Sequence, residues 1–457
     1  MTETLKENKT MEKNLTELLN ELAEFTVTVD KDKFTDHLLQ HAGYVISDIV
    51  SSIVYGTKST ECMNAFNEKF MTVQCNANCS TLFLEDIAFF CGLSGSHYEV
   101  DEGNYLSGGH PGINIIPVVI AFSALNCYSG RALAEAAILG YEVATRFGMS
   151  VRANKDIHPN GTWGIYGAVA VISRLLAFDI AQTRNIFFIA SQLISINSNK
   201  AWLNGSTSRS AFAAVGCKMA FVAYSLTKNG FRGCEHCVNM VFNTIGKTNN
   251  SINATIDLGY RWYSYENFFK IGSSCRETQG SLTAFINIIK DNLKLRDEST
   301  RITKIVIETF RESAELYNTK PINALSARFS IPFVVSYYLI YGSTFYSDDE
   351  VITALSNADM ILTMSKVDVK YNKKCSFKNR ETKVKIIFDD NTQIKSKTYG
   401  AIGDYAYHLN SGDTHYMINS IKNILPNKVF LSMQSMYKDS NAVDLWSMCH
   451  SLISAEN

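Results

Sequence analysis

Proline is scarce in this sequence: it supplies 6 of the 457 residues, and glycine supplies 26. These low counts exclude collagen-like and linker-dominated architectures and permit long unbroken helices. A charge excess is also missing, because 43 basic residues face 44 acidic ones. Without a basic surplus there is no electrostatic reason to expect a nucleic acid as partner. With 46% hydrophobic and 19% charged residues, the chain can form a large core and is not globally disordered.

Signals for export or membrane insertion are also missing. Residues 1–14 are charged and contain no apolar signal core, so a cytoplasmic location is expected. The longest uncharged stretch, residues 112–130, contains several polar side chains, which favours a buried helix over a membrane span. We therefore expect no membrane partner, and we expect the 11 cysteines to be mostly reduced thiols.

Apolar residues recur at spacings of three and four along most of the first 270 residues, which predicts helices. Within residues 34–55, for example, Leu38, Ala42, Val45 and Ile49 share one helical face. Helices are predicted at residues 13–29, 34–55, 60–73, 79–97, 114–127, 130–150, 162–178, 181–198 and 208–229. This part of the chain is therefore predicted to be one all-helical body.

The pattern changes after about residue 275. Ile302, Ile305 and Ile307 alternate with polar neighbours, which predicts a strand, and residues 382–400 are typical of a hairpin. Further helices are predicted at residues 277–292, 323–342 and 348–356. The result is a compact α+β unit of about 120 residues, followed by helices again from about residue 410.

Two His-Pro dipeptides precede apolar helices. His110 is followed by Pro111 and Gly112, and His158 begins a His-Pro-Asn-Gly turn. A side chain at the N-terminus of a helix lies where free N–H groups and the helix dipole favour anions. Either histidine alone is most simply a capping or loop residue, but two such junctions in one helical body indicate a shared site.

Three carboxylates lie within four residues, at Glu99, Asp101 and Glu102. Such a run is usually a solvated loop. Here it follows a strongly apolar helix and precedes a glycine-rich segment, so it can line a cleft instead. A carboxylate and a histidine from one loop can divide the base and acid roles of a reaction.

The cysteine pairs do not make a complete metal site. Cys234 and Cys237 flank Glu235 and His236 in a CxxC, and residues 75 and 79 form a CxxxC. Structural zinc usually takes four ligands from two such pairs, and nothing in the sequence brings these pairs together. A redox CxxC would need a thioredoxin-like context, which is missing. Phosphate-loop, dinucleotide, HExxH and GxSxG motifs are also missing, so no metal and no organic cofactor is expected.

Six short motifs occur in an order that resembles the MmgE/PrpD family, which includes 2-methylcitrate dehydratase, cis-aconitate decarboxylase and iminodisuccinate epimerase. The motifs are EVDE (99–102), HPG (110–112), GYEV (140–143), IHPNGTWG (157–164), KIGSSC (270–275) and SARFSIPF (326–333). The resemblance implies a large all-α domain built from residues 1–274 and 406–457. It also implies an inserted α+β lid domain, residues 275–405, and a homodimer.

The resemblance further implies an active site between the two domains. The acidic residue, the two histidines and the tyrosine of decarboxylase-like members fall on Glu99, His110, His158 and Tyr317, which are expected to be catalytic.

The resemblance also assigns the residues that would bind substrate. The family's two lysines fall on Arg209 and Lys270, which would hold substrate carboxylates. Asp101 and Cys275 are expected to line the same pocket.

Several positions depart from the family pattern. Glu99 replaces an aspartate, and Arg209 replaces a lysine, which changes a point donor into a planar fork. Phe212 and Cys275 stand where the family has histidines, and Gly103 stands where it has a threonine. The cationic frame is kept while the lining differs, which predicts a substrate other than the family's tricarboxylates.

These residue types suit proton transfer next to a carboxylate, with the cations stabilising an enolate-like intermediate. We therefore expect a cofactor-independent lyase, of the dehydratase or decarboxylase type, that acts on a small di- or tricarboxylate. One alternative is an epimerase or isomerase of an amino- or imino-dicarboxylate. The other is a catalytically weakened family member that only binds carboxylates.

Overall fold

A computed structural model describes residues 14–71, 81–248, 254–404 and 424–455 of the chain. The helices are α1 (Leu15–Thr28), α2 (Asp36–Gly56), α3 (Thr60–Phe66), α4 (Thr81–His97), α5 (Pro111–Ser123), α6 (Gly130–Met149), α7 (Gly164–Leu175), α8 (Ile180–Ala190), α9 (Ala211–Lys228), α10 (Cys237–Ile245), α11 (Arg276–Asp291), α12 (Arg311–Ala314), α13 (Ala324–Arg328), α14 (Ile331–Tyr341), α15 (Asp348–Leu355), α16 (Ala358–Ser365), α17 (Asn427–Ser435) and α18 (Leu445–Ala455). The strands are β1 (Gly103–Asn104), β2 (Val151–Ala153), β3 (Gly246–Thr248), β4 (Asn267–Phe268), β5 (Ile302–Thr309), β6 (Val367–Tyr371), β7 (Glu381–Phe388) and β8 (Gln393–Tyr399).

Polar side chains set the starts of many helices. The side chains of Asn14, Thr35, Ser59 and Ser129 each accept a hydrogen bond from a backbone N–H in the first turn of the helix that follows. These contacts satisfy donors that have no partner within the helix. Helix α5 starts with Pro111, whose missing N–H costs nothing at this position.

The helical body has one large core, with α5 at its centre. Every residue of α5 is buried, which fits the uncharged sequence of this helix. Helices α17 and α18 join the same core late in the chain. The hydroxyl oxygen of Ser123 accepts hydrogen bonds from the backbone N–H groups of Leu445 and Trp446, at 3.0 and 3.2 Å.

The α+β unit is built on a four-stranded sheet in the order β6-β5-β7-β8. Strand β5 is parallel to β6 and antiparallel to β7, and β7 is antiparallel to β8. Ile305 and Ile307 of β5 and Ile386 of β7 are fully buried in a core shared with Phe285 of α11. Alternation of apolar and polar residues marked this buried face of the sheet in the sequence.

The predicted mainly α fold with a small α+β region is confirmed, and the differences have local causes. The helix predicted over 181–198 ends at Ala190. Beyond it, the N–H of Ser195 donates to the Gly161 carbonyl, and the Asn197 carbonyl accepts from His158 N–H, so this segment pairs with the His-Pro-Asn-Gly turn. The helix predicted over 323–342 is two helices, because Ser330 caps α14. The predicted boundaries at 274/275 and 405/406 stay predictions.

Within the described part of the chain, one segment is apolar and long enough to cross a membrane by length and composition, residues Thr207–Lys228. It comprises a short turn and α9. Ala213, Cys217, Ala220 and Phe221 of α9 are fully buried in the body, as in the core helix of a soluble protein. The uncharged stretch at 112–130 forms the buried helix α5 and the turn that follows it.

Candidate active site

A short antiparallel pairing brings the acidic loop to the start of the α+β unit. Gly103 of β1 is opposite Phe268 of β4, two residues before Lys270. A Cβ atom on Gly103 would collide with the ring of Phe268. This explains why glycine occupies a position where the family has threonine. The pairing places Glu99 and Asp101 beside Lys270.

Two carboxylates and two cations form a buried network. Lys270 Nζ lies 3.3 Å from Glu99 Oε2 and 3.3 Å from Asp101 Oδ1. Arg209 Nη1 donates to Glu99 Oε1. All four side chains are buried. Since buried charges are stable only when they are paired, each member of the network depends on the others.

The network fixes the charge states of its members. Burial alone would raise the pKa of Glu99, but Arg209 and Lys270 outweigh it and hold that pKa below its usual value. Burial would also raise the pKa of Asp101, but Lys270 and His110 lower it. Burial would lower the pKa of Lys270, and the two carboxylates raise it instead. Both carboxylates are therefore ionised and Lys270 is protonated at neutral pH.

His110 is oriented by its own loop. It is the N-cap residue of α5, as the sequence predicted. Its Nδ1 lies 2.8 Å from the carbonyl oxygen of Glu102 and 3.1 Å from Asp101 Oδ2. Two acceptors at Nδ1 require a proton on that nitrogen. In the neutral ring the lone pair is then on Nε2, which is the form that can accept a proton from a substrate.

His158 faces hydrogen-bond donors on both ring nitrogens. Its Nδ1 accepts from the backbone N–H of Asn160 at 3.1 Å, and its Nε2 lies 3.0 Å from Arg209 Nη2. Burial, followed by the nearby charge of Arg209, holds the pKa of His158 well below its usual value, so the ring is neutral. A neutral imidazole has only one nitrogen that can accept. The Asn160 N–H and the Arg209 guanidinium therefore compete for it, and one of these two donors lacks an acceptor.

Asn114 links the two histidine loops. Its Nδ2 donates to the carbonyl oxygen of His110 at 2.8 Å, and its Oδ1 accepts from the N–H of Gly161 at 3.3 Å. Gly161 has a φ of 82°, a conformation that suits glycine in this turn. His158 itself is not a helix cap, because α7 begins only at Gly164. Asn114 was not predicted as a site residue, although it is a polar residue in an otherwise apolar helix.

A second pair of carboxylates lies beneath the acidic loop. Glu102 Oε1 accepts from the N–H of Gly112 at 2.7 Å, and Oε2 accepts from the Tyr141 hydroxyl at 2.6 Å. Asp48 Oδ2 accepts from the N–H of Glu102 at 2.8 Å. Burial raises the pKa of Glu102 to about 7, and burial with the nearby Glu102 raises that of Asp48 well above its usual value. The sequence marked Glu102 as a residue that can line a cleft, but it did not predict the contact with Asp48, which lies in the middle of α2.

Aromatic side chains hold Arg209 and His158 in place. The Arg209 guanidinium lies 5.0 Å from the centre of the Phe329 ring, which stacks on Trp202 at 5.2 Å. The ring of Phe212, which stands where the family has histidine, meets His158 edge-on at 5.4 Å. The substitution therefore replaces a titratable neighbour of His158 by an apolar one.

The structure does not bring every predicted residue into the network. Tyr317 is 65% exposed, on the loop after α12, and no hydrogen bond joins it to the other site residues in the described ranges. Cys275 caps α11, and burial, followed by the nearby Glu99, raises the pKa of its thiol to about 12. Cys275 therefore stays a neutral thiol at the edge of the site. The role of Tyr317 stays a prediction.

The cysteines outside the site differ among themselves. Cys234 and Cys237 are joined by a disulfide at the start of α10, so the CxxC does not hold a metal in this form. Seven cysteines of the described ranges are free, and five of these are buried. The CxxxC of residues 75 and 79 lies outside the described residues.

The structure combines a mainly α architecture that includes an α+β unit with a buried network of carboxylates, cations and histidines. The family follows from direct matches. The MmgE/PrpD N-terminal domain matches residues 20–242, and the MmgE/PrpD C-terminal domain matches residues 273–408. The chain belongs to the MmgE/PrpD family, whose members are generally enzymes of the dehydratase or decarboxylase type. No curated protein matches the chain.

Proposed function

We propose that the protein is a cofactor-independent lyase that acts on a small di- or tricarboxylate by proton transfer next to a carboxylate. The observation that carries the proposal is that both ring nitrogens of His158 face a donor, the Asn160 N–H at 3.1 Å and Arg209 Nη2 at 3.0 Å. The neutral ring can accept from only one of them, so one buried donor lacks an acceptor. An oxygen of a substrate carboxylate, seated beside Arg209, would accept from the guanidinium and, with the ring proton on Nε2, from His158 as well.

His110 is the base in this proposal. Its Nε2 lone pair takes the proton from the carbon next to the bound carboxylate, while Asp101 stabilises the imidazolium that forms. The electron pair left on that carbon is delocalised into the carboxylate as an enolate. Arg209 and Lys270 are placed to stabilise this charge, because a preorganised cation in a buried site needs no reorganisation during the reaction.

The second half of the reaction removes a group from the substrate. In the dehydratase form, the enolate collapses and the neighbouring hydroxyl leaves as water, after receiving a proton from the imidazolium of His110. In the decarboxylase form no proton is removed first: the bond between carbon and one carboxylate breaks, carbon dioxide leaves, and the electron pair stays on the carbon, which then takes a proton from the imidazolium of His110. The same residues serve both forms, since each passes through a negatively charged carbon next to a carboxylate.

Glu99 is the counter-ion of Arg209 and Lys270, the two cations that are proposed to bind the substrate carboxylate. It is ionised and it contacts both Arg209 and Lys270, so a substrate carboxylate competes with it for the same cations. The backbone of Glu99 has a φ of 58°, a conformation that is uncommon for a residue with a side chain. Such conformations cluster at functional sites, where surrounding contacts stabilise them.

The test is turnover of a panel of small di- and tricarboxylates in deuterium oxide, followed by NMR and mass spectrometry. Loss of water or carbon dioxide supports the lyase. Deuterium incorporation without loss of a group instead identifies the epimerase or isomerase. Saturable binding without any reaction identifies a carboxylate-binding protein. The exposed His236→Ala variant is a control that should react like the wild type.

We further propose a homodimer in the cytoplasm. Leu203, Tyr317 and Ile322 are 51%, 65% and 70% exposed, and Asn323 Nδ2 donates to the Gly205 carbonyl at 2.8 Å, which holds the loops that carry them together. An apolar group of this kind is typical of a surface that a partner covers. Light scattering of the wild type and of Leu203→Glu tests the dimer. Seven free cysteines against one disulfide, in the described ranges, favour a reducing compartment.

A further inference from the structure

A second group of ionisable side chains lies outside the proposed active site, where the helical body meets the α+β unit. His97 ends α4, Glu61 is in the first turn of α3, and Asp348 begins α15. One potential ligand atom from each of the three residues lies within 4.8 Å of the other two. All three residues line a cavity of about 460 Å³.

Neighbouring side chains hold two of the three in fixed orientations. Ser210 Oγ lies 3.2 Å from His97 Nδ1, which leaves Nε2 directed at Asp348 Oδ2, 3.1 Å away. Arg328 Nη1 donates to the other oxygen of Asp348 at 2.8 Å. Metal-binding histidines and carboxylates commonly have such outer partners, which orient the ligand atoms.

The two carboxylates of this group differ in their partners. Asp348 is paired with Arg328, whose Nη1 lies 2.8 Å from Oδ1. Glu61 is exposed, and no cation pairs with it in the ranges that the structure describes. Arg328 offsets one of the two carboxylate charges, which leaves room for a further cation beside Glu61.

We propose that Glu61, His97 and Asp348 bind one Zn²⁺ ion, which ties the α+β unit to the helical body. Zinc–ligand distances of about 2.1 Å place neighbouring ligand atoms about 3.4 Å apart in a tetrahedral site. The 3.1 Å separation of His97 Nε2 and Asp348 Oδ2 is close to this value, and the exposed Glu61 side chain is free to complete the set. A mixture of imidazole and carboxylate favours zinc over magnesium or calcium.

Zinc binds the neutral form of imidazole. A proton on Nε2 of His97 is therefore released to solvent when the Zn²⁺ ion binds. Water completes the coordination. The ion has a structural role, because the proposed reaction at His110 and His158 needs no metal. A negative result for zinc binding would therefore leave the proposed function unaffected, and a negative result for the lyase reaction would leave the zinc proposal unaffected.

The test is calorimetric titration of Zn²⁺ into the chelator-stripped full-length protein that carries Cys234→Ser and Cys237→Ser. These substitutions remove the two thiols that reduction of the Cys234–Cys237 disulfide would expose. We expect one Zn²⁺ per chain and a higher melting temperature with zinc. His97→Ala and Asp348→Asn should each weaken zinc binding by about 100-fold or more, and Ser210→Ala by about 10-fold.

Asp349→Asn is the matched control, because Asp349 lines the same cavity next to Asp348 but is not one of the three ligands. It should leave the zinc affinity unchanged. Circular dichroism confirms that each variant is folded. The proposal is overturned if the parent protein binds no zinc. It is also overturned if folded His97→Ala and Asp348→Asn bind zinc as well as Asp349→Asn does.

Discussion

Replacing Glu102 by glutamine should change how the stability of the protein depends on pH. Burial raises the pKa of Glu102 from 4.5 in a model peptide to about 7 in the folded protein. A folded state that holds a proton more tightly than the unfolded state is most stable below the unfolded pKa. Its advantage is lost as the pH rises through the folded pKa. The affected window for Glu102 is therefore about pH 4.5 to 7.

The size of the stability change follows from the shift of the Glu102 pKa. The folded state must give up the Glu102 proton at neutral pH, which costs about 3 kcal/mol relative to acid conditions. The carboxyl is fully buried, so solvent does not screen this effect. Glutamine keeps an oxygen for the N–H of Gly112, cannot ionise, and has nearly the same shape as the protonated side chain.

Urea unfolding at a series of pH values between 4 and 8, followed by circular dichroism, measures the effect. The wild type should lose about 3 kcal/mol more than Glu102→Gln over this range. Other groups titrate in both proteins, so the difference between them isolates Glu102 and the coupled Asp48. Parallel stability profiles for the two proteins would refute the assignment of a raised pKa to Glu102.

Four further predictions concern the site. His158→Ala should reduce turnover by about 100-fold or more while the protein stays folded, and wild-type activity would contradict its role. Arg209→Lys should raise KM by about 10-fold with kcat nearly unchanged, because the planar guanidinium contacts both Glu99 and His158 and lysine cannot replace both contacts. Steady-state kinetics measures this. A fall in kcat with KM unchanged would instead show that Arg209 acts only in the transition state. Asn114→Ala should lower kcat and the melting temperature together, since it removes the hydrogen bonds that join the His110 loop to the turn after His158. An unchanged kcat in a destabilised protein would limit Asn114 to a structural role. Exhaustive chelation should leave turnover intact in folded Asp348→Asn, which lacks a ligand of the proposed zinc site, and activity of this variant that is lost and then restored by metal would contradict a metal-independent reaction.

Much of the helical body was predictable because its signals are local. The spacing of Leu38, Ala42, Val45 and Ile49 marks the buried face of α2, and all four are buried. The Pro111 start of α5 is likewise a property of adjacent residues. The end of α8 was not predictable in this way. It is set by pairing of Ser195 and Asn197 with a turn that lies more than thirty residues earlier in the chain.

Sequence motifs predicted most of the charged residues of the site, but they did not predict the residues that surround and orient them. Glu99, His110, His158 and Lys270 each stand in a short motif, and Arg209 was assigned by the position of a family lysine. The roles of Asn114, Asp48 and Tyr141 depend on contacts between distant helices, which single-sequence patterns do not record. Tyr317 illustrates the opposite case. The family resemblance assigned it to the site, but its position depends on how an exposed loop packs.

The late entry of α17 and α18 into the helical core has a consequence for biosynthesis. Leu445 and Trp446 bind Ser123 of the central helix, and Phe430 is fully buried in the same core. Residues 427–455 leave the ribosome only after the whole α+β unit has been made. During synthesis, the α+β unit can complete its own core. The helical body cannot, because the surfaces of α2 and α5 that pack against α17 and α18 stay exposed until those helices are made. The inserted unit is therefore expected to fold before the body that flanks it in sequence, and chaperones would meet the body rather than the insert.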